Sequence, residues 1–278
     1  MQLDNARYLD IKKAFLAFEK EYNVEIVIAA LGGSTSIGTN NSLSDLDIYV
    51  IYSARTILPR KIRYKTPDNS EIHIISCEVS EVINTMHEYN KEVHLYPSYL
   101  NRTKEEMELN QKLTMYDRKD YPRSMIYYTM MADVVWNLNV SFEECYEKFK
   151  EGLVVSDVLD FYYTKTHGNY DHFIYGKDDV YARKYITTVQ EILYCRWMCD
   201  KRTIPPMDIN DLLIEYGDSC TKEQQEEINK VYEANFKTTE DKFKAVVPAS
   251  AILNEFIITQ LNDMKEKFEL LSNRYFTI

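Results

Sequence analysis

The segment that most restricts how this chain folds runs from Glu25 to Ile51. Glu25 to Leu31 is an almost unbroken apolar run of strand length, and it leads directly into Gly32-Gly33-Ser34. Asp45-Leu46-Asp47 then opens a second run, Ile48-Tyr49-Val50-Ile51, that is rich in β-branched and aromatic residues and reads as another strand. The chain has only 7 glycines in 278 residues, and three of them (Gly32, Gly33 and Gly38) fall in this turn. Bare backbone N–H groups and hydroxyls gathered at a strand end suit a close approach by an anion such as a triphosphate, with Ser34 as the natural contact. No lysine follows the glycines, so the Gly-x-x-x-x-Gly-Lys phosphate loop is absent.

Asp45 and Asp47 stand two apart at a strand entrance, which puts them on one face with Cα atoms about 6.5 Å apart. Two carboxylates held together repel unless a cation lies between them, and oxygen ligands of this kind suit Mg²⁺ or Mn²⁺. Ser44-Asp45-Leu46-Asp47 also fits a capping box at a helix start. The β-prone residues that follow favour the strand, so the pair reads as a metal-holding site for phosphoryl or nucleotidyl transfer.

Along the chain, strand and helix patterns alternate up to about residue 120. A helix is expected over 5–21, strands over 25–31, 46–51, 62–65 and 71–76, and a helix over 80–90. Beyond Pro122 the helical patterns 125–138, 142–165, 179–200 and 221–236 dominate. The expected architecture is α+β, a small mixed-sheet catalytic domain over 1–120 followed by an all-helical domain over 121–278. His167 to His172 reads as an interhelical loop. Arg55, Arg60, Lys61, Arg63 and Lys65 form a basic cluster whose plain reading is a solvated hairpin, with phosphate contact as the alternative.

The balance of 33 basic against 44 acidic side chains, net −11, argues against a protein that coats nucleic acid or anionic membrane through its overall field. That acidity is uneven: residues 1–120 carry 15 basic and 18 acidic side chains, against 18 and 26 in the remainder. Five scattered cysteines without a Cys-x-x-Cys pair suit reduced thiols, and no apolar run approaches membrane-spanning length, so a cytoplasmic setting without membrane contact is expected.

The Gly-Ser turn followed by Asp-x-Asp entering a strand resembles the DNA polymerase β-like nucleotidyltransferase superfamily. The stretches Ile126 to Ala132 and Arg183 to Met207 resemble the helical region of the YcgL-like, RNA-repair-associated nucleotidyltransferases. This resemblance implies transfer of a nucleotide from an NTP to a hydroxyl, with an RNA or tRNA 3′ end as the leading acceptor. A small-molecule or protein acceptor, or a non-catalytic nucleotide-binding regulator, is the alternative. It implies Asp45 and Asp47 as catalytic metal ligands, with Gly32, Gly33, Ser34, Ser44 and Lys184 at the nucleotide. A third carboxylate is expected on a neighbouring strand. Glu71 is favoured because a hard cation prefers oxygen, although the family's spacing to Asn90 points to His73. Gln190 stands where the family places an arginine.

Overall fold

The computed structural model describes residues 5–40, 44–55, 57–66, 70–91, 121–132, 134–137, 144, 155–237 and 245–275. These divide into two compact units. The first takes in 5–37, 45–91 and 121–137, and the second takes in 38–40, 44, 155–237 and 245–275. No helix among the described residues is long and apolar enough to cross a membrane.

The first unit is built on helix α1 (Asn5–Tyr22), strand β1 (Glu25–Leu31), a single helical turn α2 (Gly33–Ser36) and strand β2 (Leu46–Ser53). Strands β3 (Lys61–Lys65) and β4 (Glu71–Glu78), helices α3 (Val79–Lys91) and α4 (Tyr121–Met131), and strand β5 (Val134–Asn137) complete it. The sheet order is β3-β4-β2-β1-β5. It is mixed, since β4 runs parallel to β2 while the other pairs are antiparallel.

Alternation decides what each face of the sheet does. Leu46, Ile48, Val50 and Tyr52 of β2, with Ile62, Ile72 and Ile74, join Ile11, Ala14, Phe15 and Phe18 of α1 in one buried cluster. The odd-numbered residues of β2 face the other way, where Tyr49 stacks on Tyr128 of α4 with centroids 5.0 Å apart. The Tyr121 hydroxyl anchors α4 to the sheet by donating to the Ser76 carbonyl at 2.9 Å. The aspartates share this second face, opposite the one that α1 seals.

Arg60, one of the five clustered basic residues, has a structural task. Its guanidinium forks onto both oxygens of Glu81 at 2.5 Å each and lies over the Tyr121 ring. This hydrogen bonding outweighs burial, holding the Glu81 carboxyl below its ordinary pKa and the Arg60 guanidinium above its own. A carboxylate with a depressed folded-state pKa contributes stability above its unfolded value, near 4.5, and loses it as pH falls through the depressed value. Glu81→Gln is expected to lower stability at pH 7 by about 1–3 kcal/mol in urea unfolding, because it strands a half-buried charge. The gap from the parent protein should begin to narrow as pH falls below about 4.5 and close once pH has passed the depressed Glu81 value, where both lack that carboxylate.

The second unit contains helices α5 (Val155–Phe173), α6 (Ala182–Lys201), α7 (Ile209–Tyr216), α8 (Lys222–Lys237) and α9 (Ala251–Tyr275). A two-strand ribbon, β6 (Asp179–Tyr181) with β7 (Val246–Pro248), sits among them. Residues 38–40 of the motif loop belong here: Tyr232 donates its hydroxyl to the Gly38 carbonyl at 2.9 Å, and the Asn235 amide donates to the Thr39 carbonyl at 3.1 Å.

Several expectations change in detail. Residues 121–137 belong with the sheet, so the first unit extends past residue 120. The helical pattern expected over 125–138 ends at Met131, because Val134–Asn137 pairs with β1 and covers its free edge. The helix expected from 179 starts at Ala182, its first residues serving as ribbon. His167 to His172 lies within α5 rather than in a loop, since packing against α6 outweighs the helix-breaking tendency of Gly168. Most of 142–154, read as the start of a helix, lies outside the described residues.

Candidate active site

The Gly-Gly turn is locked to the Asp-x-Asp strand. The Gly32 amide donates to the Asp47 carbonyl at 2.8 Å, and the Gly33 amide donates to the Tyr49 hydroxyl at 3.4 Å. Gly33 has φ +55°, a left-handed value that favours glycine, and a Cβ there would lie 2.0 Å from an Asp47 carboxylate oxygen. Glycine is therefore required twice over, by backbone conformation and by contact with the carboxylate. Ser34 is 1% exposed, and its hydroxyl has no hydrogen-bond partner among the described residues. An orphaned buried hydroxyl is uncommon enough to call for a ligand or a water.

The parallel register of β2 and β4 sets Asp47 directly opposite His73. The His73 ring is almost fully buried, with Nδ1 2.7 Å from Asp45 Oδ2 and 3.1 Å from Asp47 Oδ1. Nε2 faces the other way and lies 2.9 Å from Glu71 Oε2. Burial would lower the imidazole pKa, but the hydrogen bonds to Asp45, Asp47 and Glu71 prevail and raise it to about 9. Glu71 is held below its ordinary value, chiefly by the His73 hydrogen bond.

One ligand atom each from Asp45, Asp47 and His73 can lie within 4.8 Å of the others, which gives two carboxylate oxygens and one imidazole nitrogen converging from adjacent strands. That donor set fits a divalent cation. In this cluster it is His73 that stands beside the aspartates, while Glu71, the expected third ligand, reaches His73 from outside. An outer carboxylate holding the far nitrogen of a ligating histidine is a common way to fix ring orientation. The Asn90 spacing pointed to His73, and ligand chemistry argued from residue type alone pointed away from it. Lys61, whose Nζ is 4.0 Å from Asp47 Oδ1, and Tyr49, whose ring lies beneath the turn, were not singled out for the site from sequence.

The remaining expected contacts are in the second unit. Ser44 is buried there. Lys184 on α6 has its ammonium 3.6 Å from the centroid of the Phe173 ring, and burial depresses its pKa. Gln190 is buried and donates to the Tyr194 hydroxyl and the Met207 carbonyl, so it serves the helical core.

A family model described as RlaP, the RNA repair pathway DNA polymerase beta family, matches residues 9–275. The chain belongs to that family. The RlaP match spans both units, so the helical unit is part of the family's architecture and not an appended module. A search of curated proteins found no match. Among solved structures, spectinomycin adenyltransferase AAD(9) from Enterococcus faecialis, determined with ATP and spectinomycin, is similar at 14% identity and a TM-score of 0.51. That likeness covers 94% of this RlaP chain and 100% of the other, and it establishes a shared nucleotidyltransferase fold. A nucleotidyltransferase-like protein from Exiguobacterium sibiricum 255-15 aligns at 10% identity and a TM-score of 0.28, over 93% of this chain and 74% of its own.

Proposed function

We propose that the chain transfers a nucleoside monophosphate from an NTP to an acceptor hydroxyl, with an RNA 3′ end as acceptor. The observation that carries this reading is the Asp45/Asp47 pair set against a Gly-Gly-Ser turn, in a chain of a polymerase beta family described by RNA repair. The acceptor oxygen attacks the α-phosphorus, the bond to pyrophosphate breaks, and the hydroxyl proton leaves to solvent. A divalent cation, Mg²⁺ or Mn²⁺, supplies charge neutralisation on the triphosphate and makes the attacking hydroxyl easier to deprotonate. Asp45, Asp47 and His73 would hold it. Glu71 keeps the Nε2 proton of His73 in place, so that Nδ1 faces the aspartates. The buried Ser34 hydroxyl offers a contact to the phosphates, while the Gly32 and Gly33 amides, already engaged with Asp47 and Tyr49, brace the turn that presents it.

His73 also favours a second reading, a non-catalytic nucleotide-binding protein. With its pKa raised to about 9, the imidazolium offsets one of the two aspartate charges without a cation.

Incubation with labelled NTPs, Mg²⁺ or Mn²⁺, total RNA and a panel of hydroxylated small molecules separates these readings. Label on RNA is the expected result. Label on a small molecule, as the AAD(9) likeness would suggest, or on protein reassigns the acceptor, and no label with nucleotide still bound supports the second reading. His73→Ala is expected to cost about 10²-fold in transfer and Glu71→Ala about 10-fold. The reverse order would return the ligand role to Glu71.

A further inference from the structure

The basic cluster that follows β2 is sorted by the fold into two groups. Arg60 is committed to Glu81. Lys61, Arg63 and Lys65 alternate along β3, and their registers place them opposite Ile75, His73 and Glu71 of β4. Ile62 between them is buried in the cluster against α1. Lys61, Arg63 and Lys65 must therefore lie on the opposite face of the sheet, the one that carries His73 and the aspartates. The Lys61 Nζ to Asp47 separation of 4.0 Å confirms this for the first of the row. Arg63 and Lys65 are exposed.

β3 is the edge strand, and charged side chains on an edge commonly just guard against edge-to-edge pairing. Lysine is especially common in that task, so it is the shared face rather than the sign that points further. Here all three charges are positive, they share the reactive face, and they form a row about 13 Å long beside the cluster, with Arg63 in register with His73 and Asp47 and the Lys61 ammonium reaching Asp47. Glu71 lies opposite Lys65 and within the field of Arg63 and Lys65, and Asp47 lies 4.0 Å from the Lys61 ammonium, so the cations stand along the edge with the carboxylates on their inner side.

We propose that Lys61, Arg63 and Lys65 form a track for the phosphate backbone of a single-stranded RNA, guiding its 3′ end along the edge strand to the Asp45/Asp47/His73 cluster. This surface names the acceptor of the transfer reaction above and rests on that reading. A row of this length serves about two or three consecutive phosphates. It recognises charge and spacing rather than base sequence, because its contacts go to phosphate oxygens, which are alike at every nucleotide. Tyr64, between Arg63 and Lys65, points to the other face and takes no part.

The test is charge reversal at the two positions that do not touch the aspartates. Arg63→Glu and Lys65→Glu together preserve a charged, protected edge while inverting its sign. Binding of a fluorescein-labelled single-stranded oligoribonucleotide, followed by anisotropy against salt, is expected to weaken at least about tenfold at 0.1 M salt. The slope of log K against log salt should shrink by about 1.4, two contacts at about 0.7 each. Affinity for a fluorescent ATP analogue should match that of the parent protein, and the thermal melting curve should stay cooperative with a small downward shift, because Lys65→Glu faces Glu71 across the β3–β4 pair. Unchanged RNA affinity and slope in the variant would overturn the track, as would a loss confined to the ATP analogue, which would assign the row to the triphosphate. RNA bound with the expected slope but never labelled by NTP would sink the transfer reading and leave the binding surface standing.

Discussion

Asp45→Asn is expected to reduce nucleotidyl transfer at least about 10³-fold in kcat/KM, a loss of about 4 kcal/mol of transition-state stabilisation. The substitution keeps the size of the side chain and removes its charge. Asp45 Oδ2 makes the shortest contact to His73 Nδ1, at 2.7 Å, so the change weakens both the binding of a cation and the orientation of the imidazole. Asp47→Asn should behave alike. The fold should persist, because Asp45 and Asp47 lie on the open face of β2 while Leu46, Ile48 and Val50 hold the strand to the core. The measurement is label transfer from NTP beside far-ultraviolet circular dichroism. A folded Asp45→Asn protein with full turnover would remove this cluster from the chemistry.

The second large effect is expected from a single methyl group. Gly33→Ala forces an L side chain into φ +55° and places its Cβ 2.0 Å from Asp47 Oδ2. The backbone cost is about 1–2 kcal/mol, and Asp47 must also swing away to relieve the overlap. Displacing a catalytic carboxylate by an ångström or so costs about 10²-fold in rate. Stability and activity should therefore fall together, read by urea unfolding and by label transfer. Gly168→Ala is the internal contrast: that glycine lies within α5 with open space around it, and alanine there should raise stability by about 0.5–1 kcal/mol. Gly33→Ala without loss of activity would mean that the turn does not brace Asp47.

Much of the site was legible as text because its parts are close in sequence. A buried strand, two glycines and a serine, and two aspartates entering a β-prone run specify a local geometry whatever surrounds them. The β1 and β2 strands, the short turn between them and the shared face of Asp45 and Asp47 all follow from periodicities of two and from what glycine alone tolerates. Residue type suggested the rest less well. Oxygen preference favoured Glu71 over His73, while the register of two distant strands sets His73 beside the aspartates.

The same division explains the segments that were misread. Val134–Asn137 continued a helical pattern and became a strand because β1 had an edge to fill, a long-range hydrogen-bonding demand that no short window contains. Gly168 looked like a loop residue and sits in mid-helix because α5 is held by its packing on α6. The five clustered basic residues looked equivalent along the chain. Pairing of β3 with β4 turned Lys61, Arg63 and Lys65 toward the reactive face, while Arg60 just outside the strand found Glu81 on α3. A turn that accepts glycine alone and a strand that carries two carboxylates are local facts, set by steric limits on a few consecutive residues. Which third side chain meets them, and which cations line the way in, depends on strand pairing across 26 residues between Asp47 and His73, where a slip of one position would reverse every face.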